Sequence, residues 1–348
     1  MISTTTSSTP PSPLVSSNVS ASDVPPDETM QRQAEGELFA CLLKSGIVPS
    51  DTPVIFILGS PRTGSTPFYQ GVVRSLGLPY LSNLANSLFP RHPALAAPIL
   101  RAAQGRFEIE FTSAYGKTNG AFQPSEASAV MRHWFGGEHP SQEKSTGILA
   151  GEEGHFLRTA TAYFRVFGAP LVIKNAWNCF RIASLARLLP QAFFIWIRRD
   201  LVQSALSDLA ARYVVQRDPQ AWNSATPANV EALRKLPPWA QVVENQYEFA
   251  RAMSAALGQH ARRRHAEVWY EDFLTDPNMT LTCLTQAMRE VHGFNPPAPL
   301  VLTRTARSPR PYPDSDEANL RRHVAEHADR FATLRYLTDS ASRHTDAA

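Results

Sequence analysis

Of 348 residues, 43% are hydrophobic and 19% charged. That is enough apolar material for one large α/β domain or two modest ones, and too much for a chain disordered throughout. The 34 lysines and arginines exceed the 31 aspartates and glutamates by only three, a net charge of +3, which excludes a basic nucleic-acid coat but allows a local anion site. Cys41, Cys179 and Cys283 are odd in number and far apart; they exclude a disulfide scaffold and a CxxC zinc knuckle and point to a reducing compartment.

Residues 1–29 are rich in Ser, Thr and Pro and lack aromatics, which predicts a disordered tail. No basic n-region or apolar h-region marks a secretory signal, and no arginine precedes Arg32 as a transit peptide would require. No stretch has the roughly 18 uncharged apolar residues of a membrane span, so a soluble, cytoplasmic protein is expected. Residues 30–340 are expected to form one domain, with 341–348 disordered.

Within that domain a helix is predicted from about Met30 to Ser45. The continuous apolar run Val54-Ile55-Phe56-Ile57-Leu58 has the character of a strand buried in a parallel sheet. A loop with Gly59, Pro61 and Gly64 follows, and Pro67, tolerable only in a first helical turn, puts the next helix start near Ser65. Residues 81–168, irregular and rich in aromatics and prolines, are expected to form an insertion over the sheet that binds an acceptor. Further strands are predicted at Pro170–Lys174, Ala192–Ile197 and His265–Tyr270, with helices at Ile182–Leu189, Val202–Tyr213, Pro237–Leu257 and Ser315–Leu334. Alternating strands and helices predict an α/β, P-loop-like three-layer fold with a central parallel sheet flanked by helices. In such sheets ligands sit at the carboxyl ends of the strands, where the polar clusters of this sequence fall.

The most informative cluster is Gly59-Ser60-Pro61-Arg62-Thr63-Gly64-Ser65-Thr66. A strand, a glycine-containing loop and a helix N-terminus together form an anion cradle, because glycines permit close approach and first-turn N–H groups point outward. The spacing matches the start of a nucleotide-triphosphate loop, but Ser65 stands where the phosphate-bridging lysine belongs. That argues against ATP or GTP hydrolysis and moves the cation to Arg62. A plain helix cap with a tight turn is the alternative.

Pro61-Arg62-Thr63-Gly64-Ser65-Thr66 resembles the PR[ST]G[ST][ST] loop of sulfotransferases that use 3′-phosphoadenosine 5′-phosphosulfate (PAPS), in their bacterial-type branch. The resemblance implies that Ser60, Arg62, Thr63, Gly64, Ser65 and Thr66 hold the 5′-phosphosulfate, with Arg62 at the sulfuryl group; Pro67 and Phe68 depart from the pattern without touching a donor. It further implies that a strand-ending arginine and a serine eight residues later bind the 3′-phosphate. Here these are Arg199 and Ser207, on an i, i+4, i+8 stripe through Gln203, with Arg198 as fallback and Leu201 where proline is usual. A strand-end charge pair and a solvated serine would satisfy the same sequence. Leu171-Val172-Ile173-Lys174-Asn175 is similar to a family strand ending in lysine, and Trp269-Tyr270-Glu271-Asp272-Phe273-Leu274-Thr275-Asp276-Pro277 to a framing segment, so Tyr270 and Glu271 are assigned structural roles. Arg307 and Arg310 stand where members add late basic contacts to the nucleotide, although a solvated charge cluster fits equally well.

The implied reaction moves a sulfuryl group from PAPS to a hydroxyl or amine of a small-molecule, glycan or lipid-like acceptor, leaving adenosine 3′,5′-bisphosphate. Positioning and electrostatics should dominate, supplied by Arg62, the loop amides and Lys174; a salt-bridged edge lysine is the alternative for Lys174. No H-x-x-H, Cys/His cluster or acidic pair has metal-ligand spacing, and no metal is expected. The histidine that many cytosolic members carry two residues after the lysine is Ala176 here. Glu126 is therefore the first candidate base, although it could equally be a first-turn glutamate complementing a helix dipole. His133 and His155 follow it. Tyr115, Phe122, Trp134, Phe135, Phe156, Tyr163 and Phe164 suit an acceptor face or simply a core. A kinase-like enzyme with a degenerate loop and an inactive nucleotide-binding protein are the competing functions.

Overall fold

The computed structural model describes residues 27–43, 49–111, 117–137, 147–222, 224–289, 298–301 and 310–335. Its first helix, α1 (Glu28–Leu42), starts where the Asp27 side chain caps the Met30 amide. The strand β1 (Val54–Leu58) is buried at every position. After the loop come α2 (Ser65–Leu76), α3 (Asn83–Leu88), α4 (Ala96–Ala103), α5 (Ser128–Phe135) and α6 (Glu153–Phe167). The chain returns to the sheet as β2 (Leu171–Lys174), then passes through a short 3-10 turn and α7 (Ile182–Leu188) to β3 (Phe193–Arg198). Next are α8 (Leu201–Ala211), extended by a π-helical turn Arg212–Gln216, and α9 (Val230–Leu233) and α10 (Pro238–His260). The chain closes with β4 (His265–Trp269), α11 (Tyr270–Thr275), α12 (Pro277–Arg289), α13 (Asp314–Glu326) and α14 (Ala328–Ala332).

The four strands form one parallel sheet in the order β2-β1-β3-β4. Both faces of β1, β2 and β3 are buried, as a sheet flanked by helices requires; the edge strand β4 is only partly covered. In this order the connections after β1 and β3 leave in opposite directions, opening a crevice between their carboxyl ends. The segment from Tyr80 to Phe167 lies between β1 and β2. It is stitched to the sheet edge by a parallel bridge between Tyr80 and Val172 and by the Val172 amide donating to the Pro79 carbonyl at 2.9 Å.

Two details differ from the sequence expectation. The helix expected over Ser315–Leu334 is divided between α13 and α14, because His327 leaves helical geometry with φ −117° and ψ 23°. α8 ends in a π-helical turn rather than a simple stop. Of the aromatics that suit an acceptor face or a core, Trp134, Phe135, Phe156 and Tyr163 take the core alternative, with 0–1% exposure; Tyr115 falls outside the described residues.

Candidate active site

The loop after β1 is built by bonds within itself and to distant elements. The Thr63 hydroxyl donates to the Ser60 carbonyl at 2.8 Å, and the Gly59 amide donates to Cys179 Sγ at 3.3 Å. Burial pushes the Cys179 thiol up to about 12, so it accepts this bond as a neutral group. Arg62 takes φ +69°, a left-handed conformation costly for a side chain with a Cβ. Gly64 follows at φ +82°, and a Cβ there would run into the ring of Tyr270; only glycine fits this approach. At the start of α2 the amides of Ser65 and Thr66 have no carbonyl four residues back inside the helix, which makes them donors for an anion.

The crevice joins this loop to the end of β3. Arg62 Nε donates to the Ser207 hydroxyl on α8 at 3.2 Å, and Arg199 donates through Nη1 to the Arg62 carbonyl at 2.8 Å. The Arg199 guanidinium lies over the Tyr270 ring, 5.3 Å from its centroid. Burial pulls Arg199 below the usual arginine value, against the opposing pull of Tyr270 and Glu271. Its neighbour Arg198 faces elsewhere: it pairs with Glu267 at 2.6 Å and stacks on Trp196 and Trp269. Asp200 caps α8 by accepting from the Gln203 amide, while its own amide donates to Glu271 at 2.9 Å. Below Arg62, burial raises the Asp208 carboxyl, opposed by Arg212, Arg62 and a hydrogen bond from Asn245.

The end of β2 brings the third cation. Lys174, 6% exposed, donates to Thr66 Oγ1 at 3.1 Å and pairs with the Glu126 carboxylate. Glu126 is not a first-turn residue: it precedes the helix cap, because Ala127 takes φ +50° and α5 starts only at Ser128. That strained turn is braced by the Ala127 amide on the Ser125 hydroxyl and by Asn175 Nδ2 on the Glu126 carbonyl, both at 3.1 Å. Buried backbone contacts thus hold the Glu126 side chain at the mouth of the loop, one third exposed.

Other nominated residues are placed differently. The Ser60 hydroxyl is buried and donates to Gln246 on α10, and Thr63 spends its hydroxyl on Ser60. The side chains of both therefore build the loop rather than line it. His133 and His155 line a separate cavity of about 430 Å³ between α1, α5 and the start of α6, and no loop residue lines that cavity. Arg310 is exposed and pairs with Glu317 at 3.5 Å, and Arg307 lies outside the described residues.

Two groups in this second cavity bring together metal-ligand types that sequence spacing does not reveal: Glu35 with His92 and His155, and His133 with Glu152 and His155. The first is already closed by hydrogen bonds. One Glu35 oxygen lies 2.9 Å from His92 Nδ1 and from His155 Nε2, while Trp134 Nε1 donates to His155 Nδ1. An indole N–H can only donate, so in the neutral ring the His155 proton sits on Nε2 and points at Glu35. A cation at that nitrogen would leave a ring proton facing the indole proton.

Gln246, Asn175 and Cys179 are not singled out by the sequence, because they reveal themselves only through partners more than forty residues away; Tyr270, given a structural role from the sequence, packs its ring against Gly64 and under Arg199.

A family model described as the sulfotransferase family matches residues 53–292. None of the curated proteins matches the chain. Solved structures similar to it include a sulfotransferase from Mycobacterium avium, at 16% identity and TM-score 0.45, covering 86% of this chain and 72% of that one. A sulfotransferase from Mycobacterium tuberculosis has 14% identity and TM-score 0.44, with 75% and 72% covered. A third, from Alicyclobacillus acidocaldarius, has 14% identity and TM-score 0.43, with 83% and 98% covered.

Proposed function

The chain belongs to the sulfotransferase family, and from that premise we propose that it moves a sulfuryl group from PAPS to a hydroxyl or amine of a small-molecule, glycan or lipid-like acceptor. The observation that carries the donor assignment is the joining of two cationic loops in one crevice: Arg62 Nε on Ser207 and Arg199 on the Arg62 carbonyl. A nucleotide with phosphates at both its 3′ and 5′ positions is the ligand such a pair would grip. The 5′ end would lie against the amides of Ser65 and Thr66, the 3′-phosphate against Arg199 and Ser207. The kinase-like alternative lacks the loop lysine, and the family match gives it no support.

PAPS supplies the sulfuryl group; the remaining work falls to side chains. Glu126 takes the proton from the acceptor as its oxygen or nitrogen attacks sulfur and the sulfur–oxygen bond to the leaving phosphate breaks. Lys174 lies between Thr66 and Glu126, so one ammonium can steady the carboxylate and then meet negative charge growing on the transferring group. Arg62 and the first-turn amides of α2 face the same charge. No step needs a metal. Residues 30–340 act as one unit in this reading, supported by a contiguous core that runs from β1 to Phe331. A cytoplasmic setting is supported by three cysteines that are all free thiols. Among the described residues no helix is long and apolar enough to cross a membrane.

Incubation with sulfur-labelled PAPS and a panel of alcohols, phenols, sugars and amines tests the activity. Label should move to at least one acceptor class and fail to move with Glu126→Gln. Label transfer undiminished in that variant would remove Glu126 as the base, and no transfer to any class would count against the activity itself.

A further inference from the structure

Helix α10 crosses beneath the crevice carrying a buried polar stripe: Gln241, Glu244, Asn245 and Gln246 are 0–7% exposed. A hydrophobic core does not need such a stripe, and each of these groups has a partner. Gln241 accepts from Arg212, and Glu244 pairs with His323 and Arg330. Asn245 bonds the buried Asp208, whose carboxyl faces Arg62.

Gln246 goes to the loop itself. Its carboxamide oxygen accepts from the Ser60 hydroxyl, and its NH2 group donates to the Pro61 carbonyl at 2.7 Å. The next carbonyl, of Arg62, accepts from Arg199. Three consecutive loop residues are thus fixed from outside, immediately around the one that holds a left-handed φ. A carboxamide is suited to this post, because it accepts and donates at once without carrying charge into an anion cradle.

We propose that Gln246 is a positioning residue that holds the loop in its donor-binding conformation before the donor arrives. The proposal rests on the reading that the loop grips the 5′ end of the nucleotide. A loop already ordered loses less conformational freedom on binding than one that must be ordered by its ligand. Removing the clamp therefore weakens donor affinity through a residue that touches no donor atom.

The test uses the full chain with Gln246→Ala and Gln246→Glu, titrated with adenosine 3′,5′-bisphosphate and followed by hydrogen exchange across residues 59–66. Gln246→Ala should bind the nucleotide about tenfold more weakly and exchange its loop amides about tenfold faster, with β4 unchanged. Gln246→Glu keeps the volume and can still accept from Ser60, but its carboxylate cannot donate to Pro61. Its deficit relative to the unaltered protein should be large near about pH 8 and shrink near about pH 5, as the carboxyl regains a proton to donate. A side chain that only filled space would show no such recovery. Loop exchange within about twofold of the unaltered protein in both variants would overturn the clamp. If the unaltered protein failed to bind the nucleotide, the donor assignment would fall, and the exchange comparison would still decide the role of Gln246. Should the alanine variant not fold, the near-isosteric glutamate variant decides.

Discussion

The crevice between β1 and β3 and the cavity between α1, α5 and α6 are both lined by charged and ionisable side chains, and from composition alone either could be the reactive centre. They differ in where the hydrogen bonds go. In the cavity, Glu35 accepts from both His92 and His155 and from the Ala94 amide, and His155 accepts from Trp134. The network closes on itself and ties the N-terminal helix to α5 and α6. In the crevice, buried partners fix the loop backbone, Arg199 on the Arg62 carbonyl and Gln246 on that of Pro61, while Lys174 bridges Thr66 to the partly exposed Glu126 carboxylate beside the first-turn amides of α2. A cluster whose donors are consumed internally builds structure; one whose donors are held in place by others can act on a ligand.

Substitutions sharpen that contrast. The largest effect belongs to Glu126→Gln, which should cut turnover by about 10²–10⁴-fold with affinity for adenosine 3′,5′-bisphosphate unchanged. Steady-state rates beside a binding titration would show it, and a loss confined to affinity would contradict the base assignment. Arg62→Ala comes next, with turnover down about 10²–10³-fold and donor affinity falling much less. In the other region Glu35→Ala strips a shared acceptor from two buried imidazoles. It should lower stability by about 2 kcal/mol in denaturant unfolding and leave turnover of the folded enzyme intact. A turnover loss without a stability loss would move the cavity into the active site.

The smallest effect is a pH dependence. Burial lowers His133, with His155, Arg91 and His92 adding to the shift and Glu152 opposing it. The unfolded chain therefore takes up a proton near the ordinary value of 6.5 before the folded one does. The resulting stability is fully present above that pH and is lost as pH falls through the lower folded value. His133→Gln should flatten the slope of unfolding free energy below pH 6.5; an unchanged slope would assign it to other groups.

Much of the crevice is visible in the sequence because its physics is local. A five-residue apolar run, a glycine loop and a proline in the first helical turn specify strand, cradle and helix without reference to anything distant. Arg199 and Ser207 are singled out by the family resemblance, but the helical stripe expected to join them is corrected: Ser207 lies on α8, whereas Arg199 precedes its Asp200 cap. The rest depends on long-range partners. Gln246 is one polar residue in a long helix, and only its contact with a loop 185 residues earlier gives it meaning. The first-turn alternative for Glu126 fails on a left-handed φ that delays α5 to Ser128 and that nothing in Ser125-Glu126-Ala127 announces. Residue type alone singles out His133 and His155, yet Trp134 and Glu35, the latter 120 residues away, fix His155, and Glu152 lies 3.4 Å from His133.

The central claim is that both cradles hold one nucleotide, and calorimetric titration with adenosine 3′,5′-bisphosphate and adenosine 5′-phosphate tests it most directly. The unaltered protein should prefer the bisphosphate by about tenfold to a hundredfold, the worth of a charge-assisted pair to the 3′-phosphate, and Arg199→Ala should abolish that preference, weakening 5′-phosphate binding much less than bisphosphate binding. Equal affinity for both nucleotides, or tighter binding of Mg-ATP than of either, would contradict it.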